Sequence, residues 1–296
     1  MIKTVEVDLP HGIRLSCRVA GPASAPLLVL LHGFPEAAFV WDGVITRLAD
    51  RFRCVAPNLR GYGPSSAPTA MQSYRPKHLV EDIDALIGAS GGPARAVIAH
   101  DWGGALAWNL AALRPHCLQR LMIINAPHPA TFLRELQHNP AQQAASAYMN
   151  FLVRPDAARL LAEDDFARLW RFFDSAGSGG APVWLDAPTR ERYRDVWRRG
   201  LDGPLNYYRA SPLRPPTASD QALMTLSLPA AMLTVRVPTR VVWGEADRAL
   251  LPGLLDGLQA HVPELEIERL PDADHWLVHE HPQYLATSIA DFVTPR

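Results

Sequence analysis

The chain has 296 residues, 48% of them hydrophobic and 20% charged, with a formal net charge of −1. It can bury one large core, or a core with a substantial insert, and nothing in its near-neutral charge steers it toward nucleic acid or an anionic membrane. Three scattered cysteines, Cys17, Cys54 and Cys117, fit neither a disulfide framework nor a zinc site. Reduced thiols in a cytoplasmic protein are therefore expected, with no signal peptide in MIKTVEVDLPHGIRLS and no run of the ~20 apolar residues that span a bilayer.

Residues 4–9 and 13–19 flank Pro10-His11-Gly12 and predict an opening β-hairpin. Leu27-Leu28-Val29-Leu30-Leu31 is a continuous apolar run, the pattern of a strand buried on both faces of a parallel sheet. It leads into His32-Gly33-Phe34-Pro35, a loop at the carboxyl end of a strand, where open α/β sheets place their ligands. The Phe34 N–H there suits an oxyanion donor; an ordinary Gly-Pro turn with a structural His32 is the alternative. A helix is expected over 41–50, a strand over 52–56, and a helix over 74–89 with Leu79, Ile83, Leu86 and Ile87 on its buried face.

The β-branched run ending at Ala99 stops at His100-Asp101-Trp102-Gly103-Gly104, and an Ala- and Leu-rich helical pattern resumes near Gly103. Strand, sharp turn and helix make the context of a nucleophile elbow, usually G-x-S-x-G, which here reads Ala-His-Asp-Trp-Gly. Aspartate changes the chemistry. An ionised carboxylate is already a nucleophile and suits displacement at saturated carbon, giving an alkyl ester of the protein. Cleaving that ester requires a base and donors for the oxyanion, which the N–H groups of Phe34 and Trp102 would supply. The competing role for Asp101 is to cap the following helix.

A strand is predicted over 121–125, closed by Ala126-Pro127-His128-Pro129, with His128 a loop residue rather than a catalyst. From 131 to 228 helical patterns rich in arginine and aromatics replace the alternation. We expect them to form a lid inserted into a core of residues 1–130 and 229–296, with the ligand pocket between the two. Ser175 to Gly180 reads as a loop within the lid. Strands are expected at 239–243 and 265–270, followed by Asp247 and His275, which complete the order nucleophile, acid, histidine. The spacing of His275, His279 and His281 matches no zinc pattern, so neither metal nor cofactor is expected. Strand–helix alternation over this length implies an α/β fold with a mostly parallel sheet flanked by helices.

Taken together, His32-Gly33-Phe34-Pro35-Glu36, Leu59-Arg60-Gly61-Tyr62-Gly63, His100-Asp101-Trp102-Gly103-Gly104, Asn125-Ala126-Pro127-His128-Pro129, Leu205-Asn206-Tyr207-Tyr208-Arg209, Trp243-Gly244-Glu245-Ala246-Asp247 and Asp274-His275-Trp276 resemble the α/β-hydrolase superfamily over essentially the whole chain, and within it the epoxide hydrolases. The resemblance implies an α/β-hydrolase fold with a helical cap, acting on a small epoxide and water to give a vicinal diol. It also implies two lid tyrosines that donate to the epoxide oxygen, placed at Tyr208 and Tyr148. A phenol of pKa ~10 can donate to an alkoxide as its charge develops. Tyr207 is the reserve candidate or a packing residue, and His32, Pro35, Trp102 and Tyr207 are expected to contact substrate. A haloalkane or haloacid dehalogenase shares the aspartate, histidine and acid. Against that reading, Phe34 stands where haloalkane dehalogenases carry a second donor side chain, and Trp102 stands where fluoroacetate dehalogenases carry arginine. A noncatalytic binder on the same fold is the rival of another class. No macromolecular partner is implied beyond a monomer or homodimer.

Overall fold

One eight-stranded sheet organises the computed structural model of the chain, which describes residues 1–177 and 182–294. The strands are β1 (Lys3–Asp8), β2 (Arg14–Ala20), β3 (Leu27–Leu31), β4 (Arg53–Pro57), β5 (Ala96–His100), β6 (Leu121–Ile124), β7 (Thr239–Gly244) and β8 (Leu265–Leu270). They lie in the order β1-β2-β4-β3-β5-β6-β7-β8. β1 and β2 form the expected hairpin, and β2 also runs antiparallel to β4, whereas every pairing from β4 to β8 is parallel. The continuous apolar runs of β3, β5 and β6 are buried at every residue, as strands covered on both faces must be. β8 alternates polar and apolar at the sheet edge.

The chain passes from β3 outward to β4, then returns to lay β5 on the other side of β3. That reversal opens a crevice at the carboxyl ends of β3 and β5, where such sheets bind ligands. The loop beginning at His32 and the turn at Asp101 both start there.

Helices α1 (Asp42–Leu48), α2 (Pro76–Ala89) and α3 (Asp101–Leu113) connect the first strands. The helix expected over 41–50 is a 3-10 turn, Ala38–Trp41, followed by α1. Between β6 and β7 lie α4 (Pro129–His138), α5 (Pro140–Ala145), α6 (Tyr148–Leu152), α7 (Ala157–Ala176), α8 (Ala187–Trp197) and α9 (Asp202–Ala210); α10 (Leu277–Glu280) and α11 (Pro282–Val293) close the chain. α7 is kinked at Glu163–Phe166 and extends to Ala176, into the segment expected as a loop. Residues 178–180 of that expected loop lie outside the described residues. Among the described residues no helix is long and apolar enough to cross a membrane.

Candidate active site

The turn from β5 into α3 is strained where it matters. Asp101 has φ +49°, in the left-handed region, a conformation aspartate tolerates better than most residues at a cost of roughly 1–3 kcal/mol. Close approach of backbone holds it there: a Cβ on Gly103 would lie 2.6 Å from the carbonyl oxygens of Leu31 and His32, and one on Gly33 would strike the Asp101 side chain. With no such atoms present, the loop after β3 closes over the turn and the Phe34 N–H donates to Asp101 Oδ1 at 2.7 Å. α3 begins at Asp101 itself, with His100 as its N-cap, so the carboxylate faces the loop and does not cap the helix.

His275 and Asp247 arrive on the loops after β8 and β7. His275 Nδ1 donates to Asp247 Oδ2 at 2.7 Å, leaving Nε2 3.9 Å from Asp101 Oδ2. Asp247 is nearly fully buried, yet Oδ1 accepts the N–H groups of Ala249 and Leu250 and Oδ2 also accepts from the Asn125 amide at 2.8 Å. A buried carboxylate with this many donors is held in one orientation. Burial alone would lower the pKa of His275. The charges of Asp247, Asp101 and Glu36 outweigh it and raise the imidazole to about 9.

Above Asp101 lies a cavity of about 340 Å³, walled by apolar side chains such as Leu106, Phe132 and Leu213 and by Trp102, Tyr148 and Tyr208. Tyr148 comes from α6 and Tyr208 from α9, with ring centroids 6.3 Å apart; Tyr208 stands edge-on to Trp102 at 5.0 Å and to Phe34 at 5.2 Å. Burial pushes both phenols up, and the Asp101 charge adds to it in each case. They therefore keep their protons and are able to donate hydrogen bonds.

The structure separates the other expected substrate contacts. Tyr207 lines the cavity, but its hydroxyl donates to the Arg60 carbonyl at 2.9 Å, which turns it away from a ligand. His32 and Pro35 do not line the cavity. His32 is buried, with Nδ1 on the Gly33 carbonyl and Nε2 accepting the Leu59 N–H, so it ties the loops after β3 and β4 together; burial lowers its pKa to about 4. Pro35 accepts the Trp197 indole N–H at 2.8 Å. His128 accepts the Ala130 N–H at the start of α4, the loop role expected of it.

Three residues escaped assignment from sequence. Asn125, at φ +36°, bridges the Gly244 backbone to Asp247. Glu36 and His100 are fully buried, with His100 Nδ1 2.9 Å from Glu36 Oε2 and Nε2 2.8 Å from the His275 carbonyl. Burial would raise the Glu36 pKa, but His100 and His279 overcome it and hold the carboxyl well below its ordinary range. Both ring nitrogens of His100 thus face acceptors, the Glu36 carboxylate on one side and the His275 carbonyl on the other. All three follow or flank a strand end, the one local signal that could have marked them.

A family model for the α/β-hydrolase fold matches residues 26–282. AB hydrolase superfamily protein YfhM of Bacillus subtilis is 34% identical over 287 residues, which cover 96% of this chain and 95% of that protein. Epoxide hydrolase 3 of Xenopus tropicalis is 31% identical over 288 residues, 95% of this chain and 75% of that one. The crystal structure of the Bacillus megaterium epoxide hydrolase with an inhibitor superposes with a TM-score of 0.87 at 29% identity, covering 98% of this chain and 99% of the other. The chain accordingly belongs to the α/β-hydrolase fold family and, within it, to the epoxide hydrolases.

Proposed function

We propose that the protein hydrolyses a small apolar epoxide to a vicinal diol through an alkyl ester on Asp101. The observation that carries this reading is the convergence, in and beside one cavity, of a carboxylate at an elbow, two buried phenols and a histidine–aspartate pair. Residues 131–228 serve as the lid over a core of 1–130 and 229–296, and α6 and α9 within it contribute the two tyrosines.

The proton balance closes on His275. In the resting protein the imidazolium stands between two carboxylates. Asp101 attacks an epoxide carbon as Tyr148 and Tyr208 donate hydrogen bonds to the departing oxygen. The alkoxide needs one proton, and the imidazolium holds one to give. Esterification removes the Asp101 charge, which lowers the His275 pKa and makes the ring a base. It then takes a proton from water that attacks the ester carbonyl, whose oxyanion is held by the N–H groups of Phe34 and Trp102. Cleavage returns the carboxylate, the diol and the imidazolium.

Turnover on a panel of aryl and alkyl epoxides, haloalkanes and fluoroacetate tests the assignment. Diol from the epoxides with negligible halide release supports it. Halide release exceeding diol formation selects the dehalogenase reading, and consumption of neither class would leave a binder on this fold.

A further inference from the structure

His279 lies one turn past His275, on α10, and does not line the cavity. Its Nε2 is 3.1 Å from Glu36 Oε1 and 2.8 Å from the Tyr193 hydroxyl, and its ring stacks on Trp184 with centroids 3.8 Å apart and planes 3° from parallel. Tyr193 belongs to α8 and Trp184 to the segment before it, so one imidazole fastens the inserted helices to the buried carboxylate that pairs with His100. An ionised Glu36 only accepts. Nε2 therefore carries the proton between them, and the Tyr193 oxygen, able to accept as well as donate, shares it. Among the described residues no other group bonds Glu36 Oε1.

We propose that His279 is a positioning residue for the hydrolysis of the ester: it fixes Glu36, Glu36 fixes His100, and His100 holds the backbone carbonyl of His275, while Trp184 and Tyr193 hold His279 itself. The inference rests on the reading of His275 as the general base. The bond to Asp101 forms with the two tyrosines holding the departing oxygen, and His275 gives its proton to the alkoxide only afterwards, so formation of the ester does not pass through this chain of contacts. Hydrolysis needs His275 aimed at water, and a misplacement of about 1 Å in such geometry can cost on the order of a hundredfold.

Two substitutions isolate the contact. His279→Phe keeps a ring on Trp184 and loses the donor, whereas His279→Gln keeps an amide N–H near the place of Nε2. With styrene oxide under single-turnover conditions, His279→Phe should hydrolyse the ester about tenfold more slowly while forming it within about twofold of the wild-type rate. Intact-protein mass should show the ester accumulating, and His279→Gln should restore most of the lost rate. Unchanged hydrolysis in His279→Phe, an equal fall in both steps, or a Gln variant as slow as Phe would each overturn the proposal. If His279→Phe does not fold, Tyr193→Phe, which removes one oxygen from the lid side of the contact, should slow hydrolysis alone by about threefold; equal rates would overturn it. A wild-type protein that turns over styrene oxide without ever carrying an ester overturns the reading of His275 instead. The role of His279 is then read from the downfield Nδ1–H proton resonance of His275, which the Phe variant should shift and the Gln variant should leave in place; no shift in the Phe variant overturns it.

Discussion

Replacing Asp101 with asparagine should lower the pKa of His275 by several units without moving it. The two charges are close, with Nε2 3.9 Å from Oδ2, and both side chains are largely buried, at 4% and 14% exposure. Coulomb's law at an effective dielectric near 20 gives about 4 kcal/mol for that separation, equivalent to a shift of roughly 3 pH units. From about 9 in the wild type, His275 in Asp101→Asn should then titrate near pH 6, by the same arithmetic. Asparagine at 101 is also the electrostatic equivalent of the ester, neutral and of the same shape, so the titration measures how far alkylation turns an acid into a base. Histidine-labelled protein followed by carbon–proton NMR from pH 5 to 10 gives the value, with His275→Gln identifying the resonance and mass spectrometry excluding deamidation. A His275 titration within about half a unit of wild type would refute the reasoning, because Asp101 would then contribute no appreciable part of the raised pKa.

Other outcomes follow from the same geometry. Tyr148→Phe and Tyr208→Phe should each slow ester formation about ten- to a hundredfold and the double variant should nearly abolish it, while ester hydrolysis in rapid-quench assays stays unchanged. Tyr207→Phe should keep most of its activity and lose about 1 kcal/mol of stability in denaturant titration, since its hydroxyl serves the Arg60 carbonyl. His275→Gln should form the ester and fail to cleave it, visible as substrate mass added at Asp101 by peptide mapping. The raised pKa of His275 also fixes a sign for stability. Its contribution is complete below the unfolded value near 6.5 and is lost as pH rises through about 9. Thermal melts of the wild type should decline across that window, and His275→Gln should show a shallower decline.

How much of this was written in the sequence depends on whether local pattern or distant contact decides. The apolar runs at 27–31 and within 121–125 have the pattern of buried strands, and small residues around Asp101 announced a turn that tolerates no bulk, so the sheet, the elbow and the order Asp101, Asp247, His275 were legible. Tyr207 and Tyr208 differ by about 100° around one helix, and which hydroxyl faces the cavity is settled by the Arg60 carbonyl, 147 residues away. His32 offered a polar group at a strand end, but its partner on the loop after β4 belongs to another crossover. Glu36 and His100 are 64 residues apart, and nothing near either one announces the other. The helices between β6 and β7 were legible as a class, since aromatics and arginines replace strand alternation; the kink in α7 had no signal we recognise.

Oxygen should reach the substrate from Asp101 rather than from water. With enzyme in excess over epoxide in heavy-oxygen water, a single turnover should release diol carrying mostly light oxygen, and peptide mass spectrometry should find the heavy atom in the Asp101 carboxylate, since water attacks the ester carbonyl and not the substrate carbon. Heavy oxygen in the first-turnover diol with an unlabelled Asp101 would contradict the account and make the aspartate a base for direct attack by water.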